Sequence, residues 1–400
     1  MEKPVAAIEF GSKKIKLVVG YELDGQVYVL YALTKPYGHI VEPGKFSDFA
    51  KLTQNVKEVH DFSDPSAKLK LTISEALLAI PPYGLDVFET KQVTTVIGEE
   101  SKINTIDIRN IYALIRNASN EMENALIDVI PETYILDQGR TFTLPPIGVS
   151  SSTLSMVAKV HTLPHKIPTA YQTALKSGGI NVKRLVIAPF AAAKLLASYS
   201  EIPNDYILVD IGSDITMVSL IGNETLYASR TFEWGGDHIT ERIIEAFNIN
   251  EADAEKYKIL YGIDKREMNF RAPVCKTDDG EGHEVKHYRE ELNSLIKSEL
   301  ETFTKQLNSA VDDLLTDYGT TYKKLPMILV GGGSQLHGLV EYITPKVPSE
   351  TVKVVTPRSF GARNPTFTNC LGMILAHANN PSVYDENHPR FGQVTRDPIK

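Results

Sequence analysis

The sequence predicts an α/β protein in which two related domains surround one phosphate-bearing ligand. An acidic residue, an apolar residue, glycine and serine occur in that order at residues 9–12 and again at residues 210–213, each time between two apolar runs. Each copy has the pattern of a strand, a tight turn and a second strand, and the amides of such a turn can receive an anion. A third glycine cluster, residues 331–333, follows the apolar run 326–330. Alone it is compatible with a structural turn, but together the three turns favour a nucleotide cleft.

Composition and charge narrow the classes of function. The chain has 400 residues, 42% of them apolar, a formal net charge of −8 and two cysteines. This length predicts several domains with large cores. The acidic balance argues against nucleic acid as a partner, and two cysteines exclude a disulfide framework or a cysteine-ligated metal site. We expect a cytoplasmic protein, because the sequence shows no signal-peptide core and no apolar run long enough to cross a bilayer.

The same three strands are predicted at the start of each half. They are Val5–Ile8, Ile15–Val19 and Val27–Tyr31 in the first half, and Ile207–Val209, Thr216–Ile221 and Thr225–Ser229 in the second. Between the halves, residues 84–163 alternate strand and helix patterns and predict a small inserted α+β domain. Its helix is expected from about Ile106 to Asn124.

Further helices are predicted from apolar spacing. Residues 168–177 and 190–198 have helical patterns on either side of a short strand at 184–187. From Lys286 to Asp317 apolar residues recur at helical spacing, which predicts a pair of amphipathic helices facing a core. A helix is expected to begin near His337, after the third glycine cluster. Residues 379–400 lack apolar periodicity and predict a flexible tail.

The turn motifs resemble those of the actin, Hsp70 and sugar-kinase superfamily, and within it those of the bacterial cell-division family FtsA. Residues 8–15 resemble the first phosphate motif, residues 209–214 the second, and residues 328–339 the adenosine motif. Residues 189–193 and 367–372 resemble the two connecting helices. Four features are similar to FtsA in particular. They are the position of the insert, residues 130–135 with 146–148, residues 234–240, and residues 254–258 before Tyr261-Gly262.

The resemblance implies an actin-like, ribonuclease H-like fold with duplicated domains around a nucleotide cleft. Residues 1–83 and 164–200 would form the first actin-like domain. Residues 84–163 would form the inserted domain, which is similar to the SHS2 type. Residues 201–378 would form the second actin-like domain, followed by the tail.

The resemblance also implies ATP and Mg²⁺ as ligands. Serines and glycines of the two hairpins would bind the β- and γ-phosphates, and Lys14 would neutralise them. Glu255 and Lys258 would bind the ribose, although an ordinary ion pair is the alternative. The expected nucleotide-binding residues are Gly11, Ser12, Lys13, Lys14, Gly212, Ser213, Asp214, Gly236, Glu255, Lys258, Gly331, Gly332, Gly333 and Gln335. Asp210 and Glu9 would reach Mg²⁺ through water, and they are the candidates for a catalytic role.

Several positions depart from the family pattern where hydrolysis would occur. The usual aspartate of the first turn is Glu9, and a glutamate-proline is replaced by Ala188-Pro189. In the second turn Asp214 and Ile215 stand where glycine and threonine are usual, and Met217 stands where an aspartate is expected. Phosphoryl transfer depends on positioning and charge. We therefore predict that ATP is bound but hydrolysed slowly or not at all, so whether the chain is an enzyme stays open.

Resemblance to FtsA implies a scaffold that polymerises like actin, binds the tubulin-like protein FtsZ and links it to the cytoplasmic membrane at the division septum. The inserted domain would bind other division proteins. The tail has no amphipathic face, so membrane contact would require a partner or a C-terminal helix that the sequence lacks. The alternatives are a pilus-assembly scaffold like PilM, and a sugar kinase or exopolyphosphatase of the same superfamily.

Overall fold

The computed structural model describes residues 3–42, 44–64, 69–97, 99–119, 123–264, 273–278, 283–318 and 324–379. The strands are β1 (Val5–Phe10), β2 (Lys14–Leu23), β3 (Gln26–Pro36), β4 (Val41–Glu42), β5 (Lys45–Phe46), β6 (Asp61–Asp64), β7 (Leu69–Thr72), β8 (Glu75–Ile80), β9 (Asp86–Thr95), β10 (Asn124–Leu136), β11 (Thr141–Phe142), β12 (Thr153–Pro164), β13 (Asn181–Ile187), β14 (Asp205–Ile211), β15 (Thr216–Gly222), β16 (Thr225–Phe232), β17 (Pro273–Asp278), β18 (Glu284–Tyr288), β19 (Met327–Val330) and β20 (Val352–Val354). The α-helices are α1 (Phe49–His60), α2 (Thr105–Ser119), α3 (Lys166–Ser177), α4 (Ala188–Ala197), α5 (Gly236–Phe247), α6 (Glu251–Tyr261), α7 (Arg289–Tyr318), α8 (Leu339–Ile343) and α9 (Thr368–Asn379). The expected tail beyond Asn379 lies outside the described residues.

The chain divides into two compact units. The first comprises Met1–Phe10, Ile15–Ser198 and Asn369–Lys400, and the second comprises Gly11–Lys14 and Tyr199–Thr368. Each unit contains a five-stranded sheet, with the order β13-β8-β1-β2-β3 in the first and β16-β15-β14-β19-β20 in the second. In the first sheet β1 is antiparallel to β2 and parallel to β8. In the second sheet β14 is likewise antiparallel to β15 and parallel to β19. The repeated hairpins in the sequence therefore correspond to a repeated sheet topology.

The insert has its own sheet, with the order β11-β10-β12-β9. Helix α2 covers it, and their shared core includes Ile111, Tyr134, Leu154 and Met156. The expected helical end near Asn124 is wrong, because α2 ends at Ser119 and Asn124 already begins β10. Asn, Ser and Asn at residues 117, 119 and 120 favour caps and turns over helix interiors, which explains the earlier end.

Helix α7 corrects the expectation of a helix pair. It is one helix of 30 residues, about 45 Å long, because no glycine or proline interrupts it. Its apolar face does point into a core, since Leu292, Ile296, Leu300 and Phe303 are fully buried. In the described part of the chain, no helix combines the length and the hydropathy required to span a membrane.

Helix α9 groups with the first unit, whereas the sequence analysis placed residues up to 378 in the second domain. Close packing against α4 explains this grouping. A Cβ at Gly372 would lie 1.8 Å from the carbonyl oxygen of Ala191, so only glycine lets the two helices approach this closely. These are the two helices that the sequence analysis identified as resembling the connecting helices.

A buried ion pair joins three elements of the first unit. The Nη2 atom of Arg184, on β13, lies 2.5 Å from Oδ2 of Asp128 on β10, and both side chains are 1% exposed. The Nη1 atom of Arg184 donates to the carbonyl oxygen of Ala376 on α9 at 2.8 Å. Arg184 therefore ties the insert and the last helix to the edge of the sheet.

We expect Arg184→Ala to lower the free energy of unfolding by about 3–5 kcal/mol, because it removes the guanidinium that compensates the charge of the buried Asp128 carboxylate. The neighbouring Lys183 pairs with Glu75 at 3.0 Å, but Glu75 is 57% exposed. Lys183→Ala is therefore the matched control and should cost less than about 1 kcal/mol. Urea denaturation of both variants measures the difference, and equal losses would contradict the role assigned to Arg184.

Candidate nucleotide-binding site

The two predicted phosphate hairpins have the same turn geometry. The amide of Gly11 donates to the carbonyl oxygen of Lys14 at 3.0 Å, and the amide of Gly212 donates to that of Ile215 at 2.9 Å. These two amides close the turns, so they are not the free phosphate donors that the sequence analysis expected. Ser12 and Ser213 occupy the tips of the hairpins.

The beginning of α5 packs against the second hairpin. The amide of Gly236 donates to the carbonyl oxygen of Gly212 at 3.0 Å, and the amide of Asp237 donates to that of Ser213 at 2.9 Å. Two of the amides that a helix start leaves unpaired are thus satisfied by the turn. A Cβ at Gly235 would lie 2.2 Å from the Ser213 carbonyl oxygen. Glycine is required at residue 235, a constraint that appears only when the turn and the helix are seen together.

The third glycine cluster lies against the end of β14. Gly331 has a φ of +82°, and a Cβ there would lie 2.2 Å from Oδ1 of Asp210 and 2.5 Å from the carbonyl oxygen of Ile211. A Cβ at Gly333 would lie 2.4 Å from Cγ2 of Ile211. Asp210 is only 4% exposed at this contact. Protein packing therefore explains two of the three glycines.

Gly332 is different, because the nearest atom to a Cβ there is a threonine hydroxyl at 3.4 Å. The cluster continues into a 3₁₀ turn, Gly332–Gln335, rather than into an α-helix. The helix expected near His337 begins at Leu339 and has five residues. Gln335 instead exchanges two hydrogen bonds with Asn364, at 3.2 and 3.1 Å. A helix dipole at this turn is therefore not available for a phosphate.

Lys258 connects α6 to the start of α5. Its Nζ donates to the carbonyl oxygen of Gly236 at 2.9 Å and to Oγ1 of Thr240 at 2.8 Å, and it lies 2.5 Å from Oε2 of Glu255. The same glutamate oxygen accepts a hydrogen bond from Thr240 at 2.7 Å. Lys258 is buried, whereas the Glu255 side chain is 43% exposed. The pair is thus more than a solvated surface contact, and its exposed member is the glutamate.

Lys13, at the tip of the first hairpin, is held by two acids. Its Nζ lies 2.6 Å from Oδ2 of Asp237 and 2.7 Å from Oε1 of Glu251. Burial lowers the pKa of Lys13, but hydrogen bonds and charge from Asp237 and Glu251 outweigh it and raise this pKa above its usual value. Glu251 is not predicted from the sequence, because its role depends on Lys13, which is 238 residues away. Thr240 is not predicted either, because its bonds to Lys258 and Glu255 depend on the packing of α5 against α6. Lys14, in contrast, is exposed.

The two acids considered for Mg²⁺ have different surroundings. Asp210 lies near the end of β14, beside the glycine cluster of the second unit. Met217 of β15 is directly opposite Asp210 in the sheet. Glu9 belongs to the first unit, where its Oε1 accepts hydrogen bonds from Lys16 at 3.0 Å and Asn369 at 3.1 Å. Its Oε2 is buried with no hydrogen-bond partner in the described ranges. Lys16 therefore compensates the charge of Glu9.

Comparisons with known proteins agree with the motifs. The family model described as "Cell division protein FtsA" matches residues 207–372. FtsA of Enterococcus hirae is 24% identical over 382 residues, which cover 94% of this chain and 84% of that protein. The solved PilM-PilN type IV pilus biogenesis complex is similar with a TM-score of 0.62 and 18% identity, over 96% of this chain and 99% of that chain. An MreB of Spiroplasma citri bound to AMPPNP has a TM-score of 0.52 at 13% identity, over 92% and 94%. The predicted actin-like fold and the resemblance to FtsA are confirmed.

Substitutions in the glycine cluster test its packing. We expect Gly331→Ala to lower the free energy of unfolding by about 1–3 kcal/mol, because the new methyl group meets Asp210 and the backbone has a positive φ. Gly332→Ala is the matched control in the same turn, since its Cβ has space. Thermal and urea unfolding of both variants measure this difference. A Gly331→Ala protein as stable as the control would contradict the close approach.

Proposed function

Because the chain is a relative of the FtsA cell-division proteins, we propose that it is an actin-like, ATP-binding scaffold of bacterial cell division. The observation that carries this proposal is the approach of the Gly331–Gly333 backbone to the end of β14, beside the second hairpin. Two of these glycines are required by packing, whereas Gly332 is not. A flat base lying on the backbone at Gly332 accounts for glycine there.

ATP would be bound by residues of several elements of the second unit. Ser12 and Ser213, at the hairpin tips, would donate to the phosphates, and the exposed Lys14 would neutralise them. Glu255 would accept a ribose hydroxyl, because one of its oxygens is engaged by Thr240 and Lys258 while its side chain is partly exposed. Lys258 would act through Glu255, whose position it fixes. Two further candidates lie beside these groups, since the carbonyl oxygen of Gly236 accepts from Lys258 and the side chain of Gln335 donates to that of Gly332.

Mg²⁺ bound with ATP would neutralise part of the phosphate charge. Asp210 is suited to hold it through water, because its buried carboxylate lies at the strand end beside the glycine cluster. Glu9 is less suited, since Lys16 already compensates its charge. With Ala188 and Met217 in place of acidic residues, no carboxylate is evident among these positions to orient an attacking water. We therefore propose that ATP is held and hydrolysed slowly or not at all.

Nucleotide binding is tested with Glu255→Gln, which keeps the size of the side chain but removes its charge. Hydrogen bonds to charged groups are stronger than neutral ones, so we expect ATP affinity to fall roughly tenfold. Glu245→Gln, at an exposed residue of α5, is the control. Calorimetry with Mg·ATP measures both, and single-turnover hydrolysis should stay far below the kinase range of about 1–100 s⁻¹. Equal affinities, or turnover in that range, would contradict the proposal.

The proposed partners follow from the FtsA relationship. They are FtsZ, further copies of this chain in an actin-like filament, other division proteins at the inserted domain, and the inner face of the cytoplasmic membrane. A pilus-assembly scaffold is the second candidate, favoured by the TM-score of 0.62 with the PilM-PilN complex. A sugar kinase or exopolyphosphatase is disfavoured, because two positions where the family has acidic residues hold Ala188 and Met217.

Sedimentation with FtsZ and with lipid vesicles distinguishes these functions. We expect the full chain with Mg·ATP to pellet with FtsZ polymers. At the same concentration of the chain but without FtsZ, we expect it to remain in the supernatant. Vesicles without FtsZ are sedimented separately, and pelleting with them would indicate direct contact with the membrane. Absence of binding to FtsZ, with ATP binding intact, would favour the pilus scaffold instead.

A further inference from the structure

Strand β3 forms an edge of the first unit's sheet without the usual protection. In the described part of the chain, its outer side pairs with no strand. It has 11 residues, about 37 Å of extended chain. The nine residues from Gln26 to Thr34 include no charge, glycine or proline. Such an edge is a template for pairing with another strand.

The other edges of the three large sheets are protected within the described residues. Two of them are short, since β11 has two residues and β20 has three, one of which is a lysine. The longer ones carry charges, which are Lys183 and Arg184 on β13, Glu89 and Lys91 on β9, and Arg230 on β16. Charged residues and short strands are the means by which proteins block edge pairing. Residues 26–34 of β3 have neither form of protection, because the strand's one charge, Lys35, and its proline, Pro36, come at its end.

The face of the sheet beside this edge is apolar and exposed. On β3, Tyr28 and Leu30 are 45% and 57% exposed, and on β2 Leu23 is 41% exposed. The rings of Tyr21 and Tyr28 stack with centroids 5.5 Å apart and planes at 10°. Since alternate residues of a strand share a face, these four side chains form one surface, which we call the β3 patch.

From this edge and its patch we infer that two copies of the chain associate by antiparallel pairing of β3 with β3. In an antiparallel two-fold pair the residues at the axis face their own equivalents, so a charge there would meet a like charge, and the segment from Gln26 to Thr34 has no charge. The flanking charges are of opposite sign, Asp24 before it and Lys35, which also pairs with Glu58, after it. Antiparallel pairing brings these unlike ends together, whereas parallel pairing would oppose like charges.

This pairing would join the two β3 patches into one apolar surface across four strands. With Leu30 at the two-fold axis, Leu30 of one copy faces Leu30 of the other, and Tyr28 of each copy faces Ala32 of the other. One strand pair is a small interface, so the association is expected to be weak. The pairing requires no nucleotide and is therefore independent of ATP binding, so failure of either proposal leaves the other intact.

Sedimentation velocity of the full chain without nucleotide tests the pairing. At roughly 1–100 μM, where small interfaces associate, the wild-type protein should show a concentration-dependent dimer. Leu30→Lys should weaken the dimer roughly tenfold or more, because two ammonium groups then face each other. Val93→Lys is the matched control, since Val93 is 53% exposed on the charged edge strand β9, and it should associate like the wild type.

A charge-swap experiment separates a second copy from any other partner. Leu30→Lys and Leu30→Glu should each be monomeric alone, and an equal mixture should regain the dimer because unlike charges then meet at the axis. An exposed residue is changed, so circular dichroism should confirm an unchanged fold. A wild-type chain that stays monomeric, a Leu30→Lys dimer of wild-type strength, or a mixture that stays monomeric would overturn the inference.

Discussion

The approach of the Gly331–Gly333 backbone to the end of β14 is the constraint on which the second unit's candidate site depends. Parallel pairing of β14 with β19 places Val330 beside Asp210, so the glycines follow at the point where β14 turns into its hairpin. A Cβ at either Gly331 or Gly333 would displace this strand end. The hairpin in turn accepts the first amides of α5, and α5 is fixed to α6 by Lys258. One backbone contact therefore determines the positions of several ligand-binding candidates.

Charge compensation within the protein is the second physical feature of the site. Lys13 pairs with Asp237 and Glu251, Lys258 pairs with Glu255, and Glu9 is bonded to Lys16. A lysine compensated by acids is a weaker phosphate ligand than an unpaired one, and a carboxylate beside a lysine is a weaker ligand for Mg²⁺. These pairs support the proposal of a protein that holds nucleotide without efficient hydrolysis.

The sequence predicted the features that depend on local pattern. The twin hairpins, the strand and helix pattern of the insert and the buried face of α7 follow from strand and helix periodicity, which neighbouring residues determine. Other features depend on residues far apart in the chain. That Gly11 and Gly212 use their amides within the turns, and that Gly235 must be glycine, follows from backbone contacts that no spacing reveals. The grouping of α9 with the first unit likewise depends on Gly372 meeting α4.

Hydrogen–deuterium exchange of the full chain with and without Mg·ATP tests most directly the claim that these turns hold a nucleotide. We expect slower amide exchange at residues 213–214 and 332–335 when ATP is bound, because the ligand covers both turns. Exchange at the insert's β10 and β12 should not change. If bound ATP slows exchange only at other residues and leaves both turns unchanged, these turns do not hold the nucleotide.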